Sequence, residues 1–281
     1  MPRLVGGHVS SAGGIVNTIG NAENISANCF MFFAGSPRTW SRRLFSPTSI
    51  SQFQKLTTQN HLTTHFIHAL YLVNLGTDNP LLLEKSLQSL LIDMQNGDLL
   101  NSSGVIVHLG SHQGRGFDSV SGQVIDSLKF LLDQTKHVPL LIENSAGEKG
   151  KIGKFSEIGL LFNKIKNSRL GLCLDTAHLF AAGYDIGQPD MLINELNNYS
   201  LIDKIQCLHL NDSVSSMGSG RDLHANLGEG EIGLPNLKKF INHPSLAHLP
   251  LILEVPGSGS GPDAENISLA KSLTFPNPRL N

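Results

Sequence analysis

The sequence predicts a single (β/α)8 TIM barrel spanning residues 1–281, and three observations carry that prediction. Eight short apolar or β-branched runs alternate with segments of helical spacing, the mark of repeated βαβ units. Runs such as PLLIEN and LGLCLDT are apolar without alternation, as in parallel strands buried on both faces. Six consecutive runs end on a residue able to bind a metal: His68, His108, Glu143, Asp175, His209 and Glu254. A core strand has no reason to finish repeatedly on an imidazole or a carboxylate. A parallel barrel has one, because its active site is built from the carboxyl ends of its strands.

In chain order, the strands are expected near 3–8, 28–33, 65–70, 104–109, 138–143, 169–175, 204–210 and 250–255. Helical spacing or helix-start signals mark 81–95, 119–136, 155–167, 189–199, 234–242 and 264–273. Asp78 or Asn79 before Pro80 supplies a cap followed by an early-helix proline. The flexible stretch GSGSGP (257–262) falls between the eighth strand and its helix and reads as a βα loop. The tail FPNPRLN (275–281) reads as a surface strap. Nothing resembles a repeat or a domain-splitting linker.

With 40% hydrophobic and 16% charged residues, the chain suits a globular protein with a sizeable core, not a disordered one. No stretch approaches the ~20 apolar residues needed to span a bilayer, so no membrane partner is expected. The start, MPRLVGGHVS, lacks the apolar segment of a signal peptide. Three cysteines, Cys29, Cys173 and Cys207, lie inside apolar runs and read as reduced core thiols of a cytoplasmic protein. A net charge of −2 gives no global basic footprint for nucleic acid, which leaves room only for local positive charge.

Beyond strands six and seven, DTAH holds Asp175 and His178 three residues apart, and RDLH holds Asp222 and His224 two apart. In an extended loop the second spacing puts both side chains on one side. The candidate set becomes five imidazoles and four carboxylates, a donor chemistry for zinc or manganese rather than a cysteine-rich structural zinc. Nine donors are too many for one tetrahedral ion and suit two or three ions with a shared carboxylate. Left empty, four converging carboxylates would repel one another; three divalent ions would overcompensate them and attract an anion. The basic residues Arg38, Arg42, Arg43, Arg115, Lys149, Lys151, Lys154 and Arg221 all follow strands, on the same expected face. Basic groups around an aromatic such as Trp40 suit a nucleic-acid backbone.

These residues resemble the endonuclease IV family, the zinc-dependent apurinic/apyrimidinic endonucleases. Matching segments include GGHVSSAGG (6–14), FAGSPRTW (33–40), HALYLVNL (68–75), VHLGSH (107–112) and IENSAGEKGKIG (142–153). LCLDTAHLFAAGYD (172–185), HLNDS (209–213), RDLHANLGEGEIG (221–233) and LILEVPG (251–257) follow in family order. The resemblance implies three zinc ions per chain, with manganese able to take one site. One would use His68, His108 and Glu143; a second would share Glu143 with Asp175, His209 and Glu254; a third would use His178, Asp222 and His224. It implies incision of duplex DNA 5′ to an abasic site, leaving a 3′-hydroxyl and a 5′-deoxyribose phosphate, by attack of a metal-bridging hydroxide that Glu143 orients. Arg38 and Tyr71 match positions that enter the DNA and probe the lesion, and the family expectation is a monomer. Leu70, Glu148, Lys149 and Leu223 depart from common family residues; they bear on DNA affinity and loop shape, not on the ligands.

The rival is a divalent-metal sugar isomerase or epimerase on the same barrel, which holds one or two ions; the trio His178, Asp222 and His224 with the Arg38 loop separates the two. His8 and His112 fit either a place beside the ligands or substrate, or a structural role. His61, His65, His137, His243 and His248 read as ordinary helix or loop residues. Arg42 and Arg43 fit a solvated loop as well as a DNA contact, and Trp40 fits a packing anchor. Gly228, Gly230 and Gly233 read as tight backbone turns rather than a nucleotide fingerprint.

Overall fold

A computed structural model describes residues 2–275; the expected strap lies outside the described residues from position 276 onward. Eight parallel strands close into a barrel: β1 (Val5–His8), β2 (Phe30–Phe33), β3 (His65–His68), β4 (Gly104–Val107), β5 (Leu140–Glu143), β6 (Leu170–Asp175), β7 (Ile205–His209) and, after a two-stranded β8–β9 hairpin (Asp212–Ser213, His224–Ala225), β10 (Leu251–Leu253). Closure comes from β10 against β1, with Val5 beside Leu251 and Gly6 beside Ile252. Every expected strand is present but shorter: β1, β2, β5 and β6 start later and end where expected, while β3, β4, β7 and β10 leave the ladder at or just before the polar residue near their end. His108 and Glu254 lie one residue beyond their strands.

Inside the barrel, Met31, Phe66, Ile106, Leu141, Cys173, Cys207 and Ile252, together with Cys29, form one fully packed apolar plug. It is separate from the larger core between strands and helices. Side chains two apart on a strand share a face. Stepping two residues on from Phe66, Ile106, Leu141, Cys173, Cys207 and Ile252 therefore reaches His68, His108, Glu143, Asp175, His209 and Glu254. The plug floors the site, and the next pleat up supplies its donors.

Helix α3 (Pro80–Leu100) begins where Asn79 accepts the Leu81 and Leu82 N–H groups at 3.0 and 3.2 Å, with Pro80 in the first turn. Helices α4 (Phe117–Asp133), α5 (Phe155–Ile165), α7 (Pro189–Asn198), α8 (Leu234–Ile241) and α9 (Ala264–Leu273) fall on the expected segments. Sequence spacing missed α1 (Asn17–Asn24), α2 (Pro47–Gln59) and α6 (Thr176–Ala181). Helix α2, PTSISQFQKLTTQ, fully buries only Phe53 and Thr57, with Ile50 and Leu56 partly buried beside them, so its apolar stripe is thin among polar residues; its Ser46 cap and Pro47 were the further signal. His65 corrects the reading of it as a helix or loop residue. It opens β3, is 2% exposed, and sits among Phe30, Phe32 and Phe53.

Strand β1 needs glycine for a reason other than flexibility: a Cβ on Gly6 would lie 1.7 Å from the Cys29 carbonyl oxygen. Gly6→Ala must push β1 and the segment before β2 apart. The expected cost is at least about 3 kcal/mol, above ordinary overpacking; a denaturant midpoint within error of the parent would contradict this account of closure.

Candidate metal centre

The barrel mouth brings all nine expected donors together. Glu143, fully buried at the end of β5, is their hub: Oε2 lies 3.1 Å from His68 Nε2 and 3.2 Å from His108 Nε2. Its Oε1 lies 2.9 Å from His209 Nδ1 and 3.4 Å from His178 Nδ1. His209 Nδ1 also lies 3.0 Å from Glu254 Oε2 and 3.8 Å from Asp175 Oδ2. Two expected sets, His68–His108–Glu143 and Glu143–Asp175–His209–Glu254, each offer ligand atoms within 4.8 Å of one another. For the third, Asp222 Oδ1 is 3.0 Å from His178 Nε2 and 3.2 Å from His224 Nε2, and Asp175 also closes on both imidazoles.

Local structure explains the loop donors. Asp175 is the N-cap of α6, its Oδ1 accepting the His178 N–H at 2.8 Å, so the DTAH spacing is a helix start. His224 opens β9, paired with Ser213 of β8, which holds the Asp222–His224 segment extended beside His178. The hairpin rests on Asp212, whose carboxylate accepts N–H groups from Gly228, Gly230 and Ile232 at 2.9, 3.3 and 3.0 Å. A Cβ on Gly230 would sit 2.5 Å from that carboxylate, so glycine there serves the backbone turn.

The donors set one another's charge. Burial opposes the charged imidazole at His178 and His209, yet Asp175, Asp222 and Glu143 raise the first, and Glu254 and Glu143 the second, well above the ordinary range. His224 is raised to about 9, Asp175 and Asp222 outweighing burial, and His68 is raised by Glu143 against the same penalty. Burial would raise Glu143 and Glu254, but the surrounding imidazoles hold both well below the carboxylate range. His108 is the exception: burial lowers it to about 4 despite Glu143. Protons on imidazole therefore balance the carboxylates, in the places where cations would act.

The residues fit a metal group on two counts. The Nε2 atoms of His178 and His224 are buried without a hydrogen-bond partner, and Asp222 approaches both off the hydrogen-bonding direction. Carbonyl acceptors stand behind two of the donor rings, with His68 Nδ1 2.7 Å from Ala69 O and His178 Nδ1 3.1 Å from Asn144 O. That arrangement fixes the ring and leaves the other nitrogen for a cation. Cys173 and Cys207 also come within 4.8 Å of His209, but burial pushes the Cys173 thiol well up, keeping it protonated.

Sequence reasoning missed the polar frame behind the donors. Asn211 donates to Asp175 Oδ2 at 2.6 Å and accepts the Glu254 N–H at 2.7 Å. Asn144 accepts the Asp175 N–H at 2.8 Å, and the Thr176 hydroxyl donates to Asn211 O at 2.6 Å. All three are buried. Their signal was adjacency: Asn144 and Thr176 follow Glu143 and Asp175 directly, and Asn211 follows His209 by two.

Around the centre, Tyr71 is 59% exposed and packs edge-on against Phe33 at 5.3 Å. With His8, Phe33, Pro37 and Glu254 it lines a cavity of about 580 Å³. His8 Nδ1 stands 3.2 Å from Glu254 Oε1, beside a donor rather than in the floor. His112 accepts the Gly116 N–H at 3.1 Å and shapes its own turn. Arg38 is exposed on the loop after β2, and Trp40 packs against the core as a loop anchor. The basic face is smaller than expected. The Arg42 side chain is buried against Asp93, and the guanidinium of the exposed Arg115 is engaged by the Gly76 and His112 carbonyls. Among the departures, Leu70 is buried in the core, Leu223 is half exposed beside β9, and Glu148 lines a small cavity with His108, Lys151 and Asp222; Lys149 is exposed.

The family model described as "Xylose isomerase-like TIM barrel" matches residues 19–273. "Probable endonuclease 4" of Halothermothrix orenii is 36% identical over 274 residues, covering 95% of this chain and 99% of that protein. The protein of the same name from Haloarcula marismortui is 35% identical, covering 96% and 98%. The crystal structure of endonuclease IV from Thermus thermophilus superposes with a TM-score of 0.86 at 35% identity, covering 97% and 98% of the two chains. A D-tagatose 3-epimerase-like protein shares the fold at a TM-score of 0.69 and 16% identity. With near-full-length identity above 30% to the first of these and the barrel and donor geometry already in place, the chain belongs to the endonuclease IV family.

Proposed function

We propose that this protein incises duplex DNA on the 5′ side of an abasic site, hydrolysing the P–O3′ bond to leave a 3′-hydroxyl and a 5′-deoxyribose phosphate. The observation that carries the reading is the trio His178, Asp222 and His224 standing against the Glu143 hub, which extends the donor set beyond what one or two ions need. The rival sugar isomerase or epimerase shares the barrel, but it has no use for that trio or for an exposed Arg38 loop at the rim. No helix among the described residues is long and apolar enough to cross a membrane.

His68, His108 and Glu143 would hold one divalent cation, Glu143, Asp175, His209 and Glu254 a second, and His178, Asp222 and His224 a third. Zinc suits this donor set, and manganese could take one site. Bound there, such ions supply charge for the phosphate and a water acidified toward neutral pH as nucleophile. Glu143, in reach of both donor groups at once, sets their spacing. Asn211 and Asn144 hold Asp175 in one orientation, and His8 does the same for Glu254. Arg38 and Tyr71 enter the DNA and probe the gap left by the missing base. A nucleotide without its base is the cheapest to turn out of the stack, which selects the lesion without reading sequence. The protein is proposed to act as a cytoplasmic monomer.

Purified protein loaded with zinc is expected to cut a duplex carrying one tetrahydrofuran abasic analogue on its 5′ side and to lose that cut in excess chelator. Absence of 5′ incision by fully loaded protein would sink the proposal. Glu143→Gln should lower kcat by roughly a thousandfold or more, a loss on the scale of the metal contribution, with DNA affinity nearly kept; near-parental turnover would remove Glu143 from its bridging role.

Metal uptake should also be proton-linked. His178, His209 and His224 have raised pKa values, so they are protonated at neutral pH before metal enters and must be neutral to ligate. Affinity is therefore expected to rise with pH from 6 toward about 9, the value His224 reaches. Calorimetry of zinc binding to stripped protein in two buffers of different ionisation enthalpy reads the released protons; no buffer dependence at pH 7 would contradict the charge balance drawn above.

A further inference from the structure

Helix α3 buries an aspartate and an asparagine that the metal centre does not use. Asp93 and Asn96, both fully buried, lie three residues apart and so on one face of the helix. Both reach the loop between β2 and α2, which has no regular structure from Ala34 to Ser46 and carries Arg38. Arg42 is the loop's answering group. Its side chain is 1% exposed, with Nε 3.2 Å from Asp93 Oδ1. Its Nη1 donates to three carbonyls of the same loop, Ser36 at 2.9 Å, Ser41 at 3.2 Å and Thr39 at 3.3 Å. Asn96 closes the far end, accepting the Phe45 N–H at 3.0 Å and donating to Arg43 O at 3.1 Å. Gly35 completes the fit, since a Cβ there would stand 3.0 Å from the Arg42 guanidinium.

We propose that Arg42, Asp93 and Asn96 form an internal clamp that positions the Arg38 loop for lesion DNA, an inference resting on the endonuclease reading above. Three loop carbonyls on one guanidinium set the curvature that lifts Arg38, two residues past Ser36, out of the barrel rim. Without the clamp the loop must be ordered by the DNA itself, at the expense of affinity.

The pair is a poor stabiliser, which is what marks it as a positioning device. Arg42 Nη2 and Asp93 Oδ1 are buried without hydrogen-bond partners. Burial raises Asp93 to about 7 even with Arg42 beside it. A buried ion pair so incompletely satisfied is commonly replaced by apolar residues at little loss, or with a gain, in stability. Fold stability and loop order can therefore be separated.

The test uses the full chain and its one tryptophan, Trp40, which lies inside the clamped loop and reports on it alone. The double variant Arg42→Met/Asp93→Leu is expected to keep the parental Tm within a few degrees while acrylamide quenching of Trp40 rises at least twofold. On the zinc-loaded protein, KM for tetrahydrofuran-containing duplex should rise about tenfold with kcat within twofold, a difference of one decade in affinity. Arg38→Ala should raise KM in the parent and add little in the double variant, because both act through one contact. Asn96→Asp, which keeps the acceptor for Phe45 but loses the donor to Arg43, should fall between. Unchanged quenching with unchanged KM overturns the clamp, as does full additivity with Arg38→Ala. If the parent cut no abasic duplex at all, the endonuclease reading would fail, and the quenching comparison would still decide whether the pair orders the loop.

Discussion

The structure turns on one buried carboxylate. Glu143 sits at the end of β5 with no exposure, and four imidazoles from four elements lie within 3.4 Å of it. A lone ionised carboxylate in that position would be prohibitive to bury. Its neighbours make it tolerable, and because they come from β3, the segment just after β4, α6 and β7, they bind its fate to the closure of the barrel. The hub is also why the centre reads as one cluster: the same side chain belongs to two of the donor sets.

A single geometric fact turns this barrel into a site. Successive inward positions on a strand are two residues apart, so the layer above the apolar plug is reached from six strands by the same step. Apolar at one pleat and ligating at the next, those strands build a dry floor beneath a charged mouth. The low-dielectric floor strengthens every charge interaction above it, and the buried Asn144, Thr176 and Asn211 frame then fixes which way the carboxylates face. The loops add what the strands cannot: a third set of donors from an α6 cap and a small hairpin, and an arginine-bearing rim held from below by α3.

Much of this was legible beforehand, and the reason is periodicity. The strand ends announced themselves because a buried run that stops on His68, His108 or Glu143 breaks the pattern of a core; the DTAH spacing became the capped start of α6, and the RDLH spacing an extended run into β9. The capped start of α3 was equally plain. What stayed hidden had only a weak local signature or none. Helix α2 is polar on most of its surface; α6 is short and looked like a turn. Arg42 looked like its neighbours Arg38 and Arg43, since only the fold brings Asp93, 51 residues away, beneath the loop. His65 resembled a surface histidine until three phenylalanines closed around it. The Asn144–Thr176–Asn211 frame exists only once three strands stand side by side.

The proposed function needs these nine residues to form one three-ion centre. Its most direct measurement is the number of metals per chain in fully active protein, by elemental analysis joined to anomalous diffraction at the zinc edge. The account predicts three ions, two flanking Glu143 and one among His178, Asp222 and His224. A fully active protein with two ions or fewer and nothing bound at that trio would contradict it.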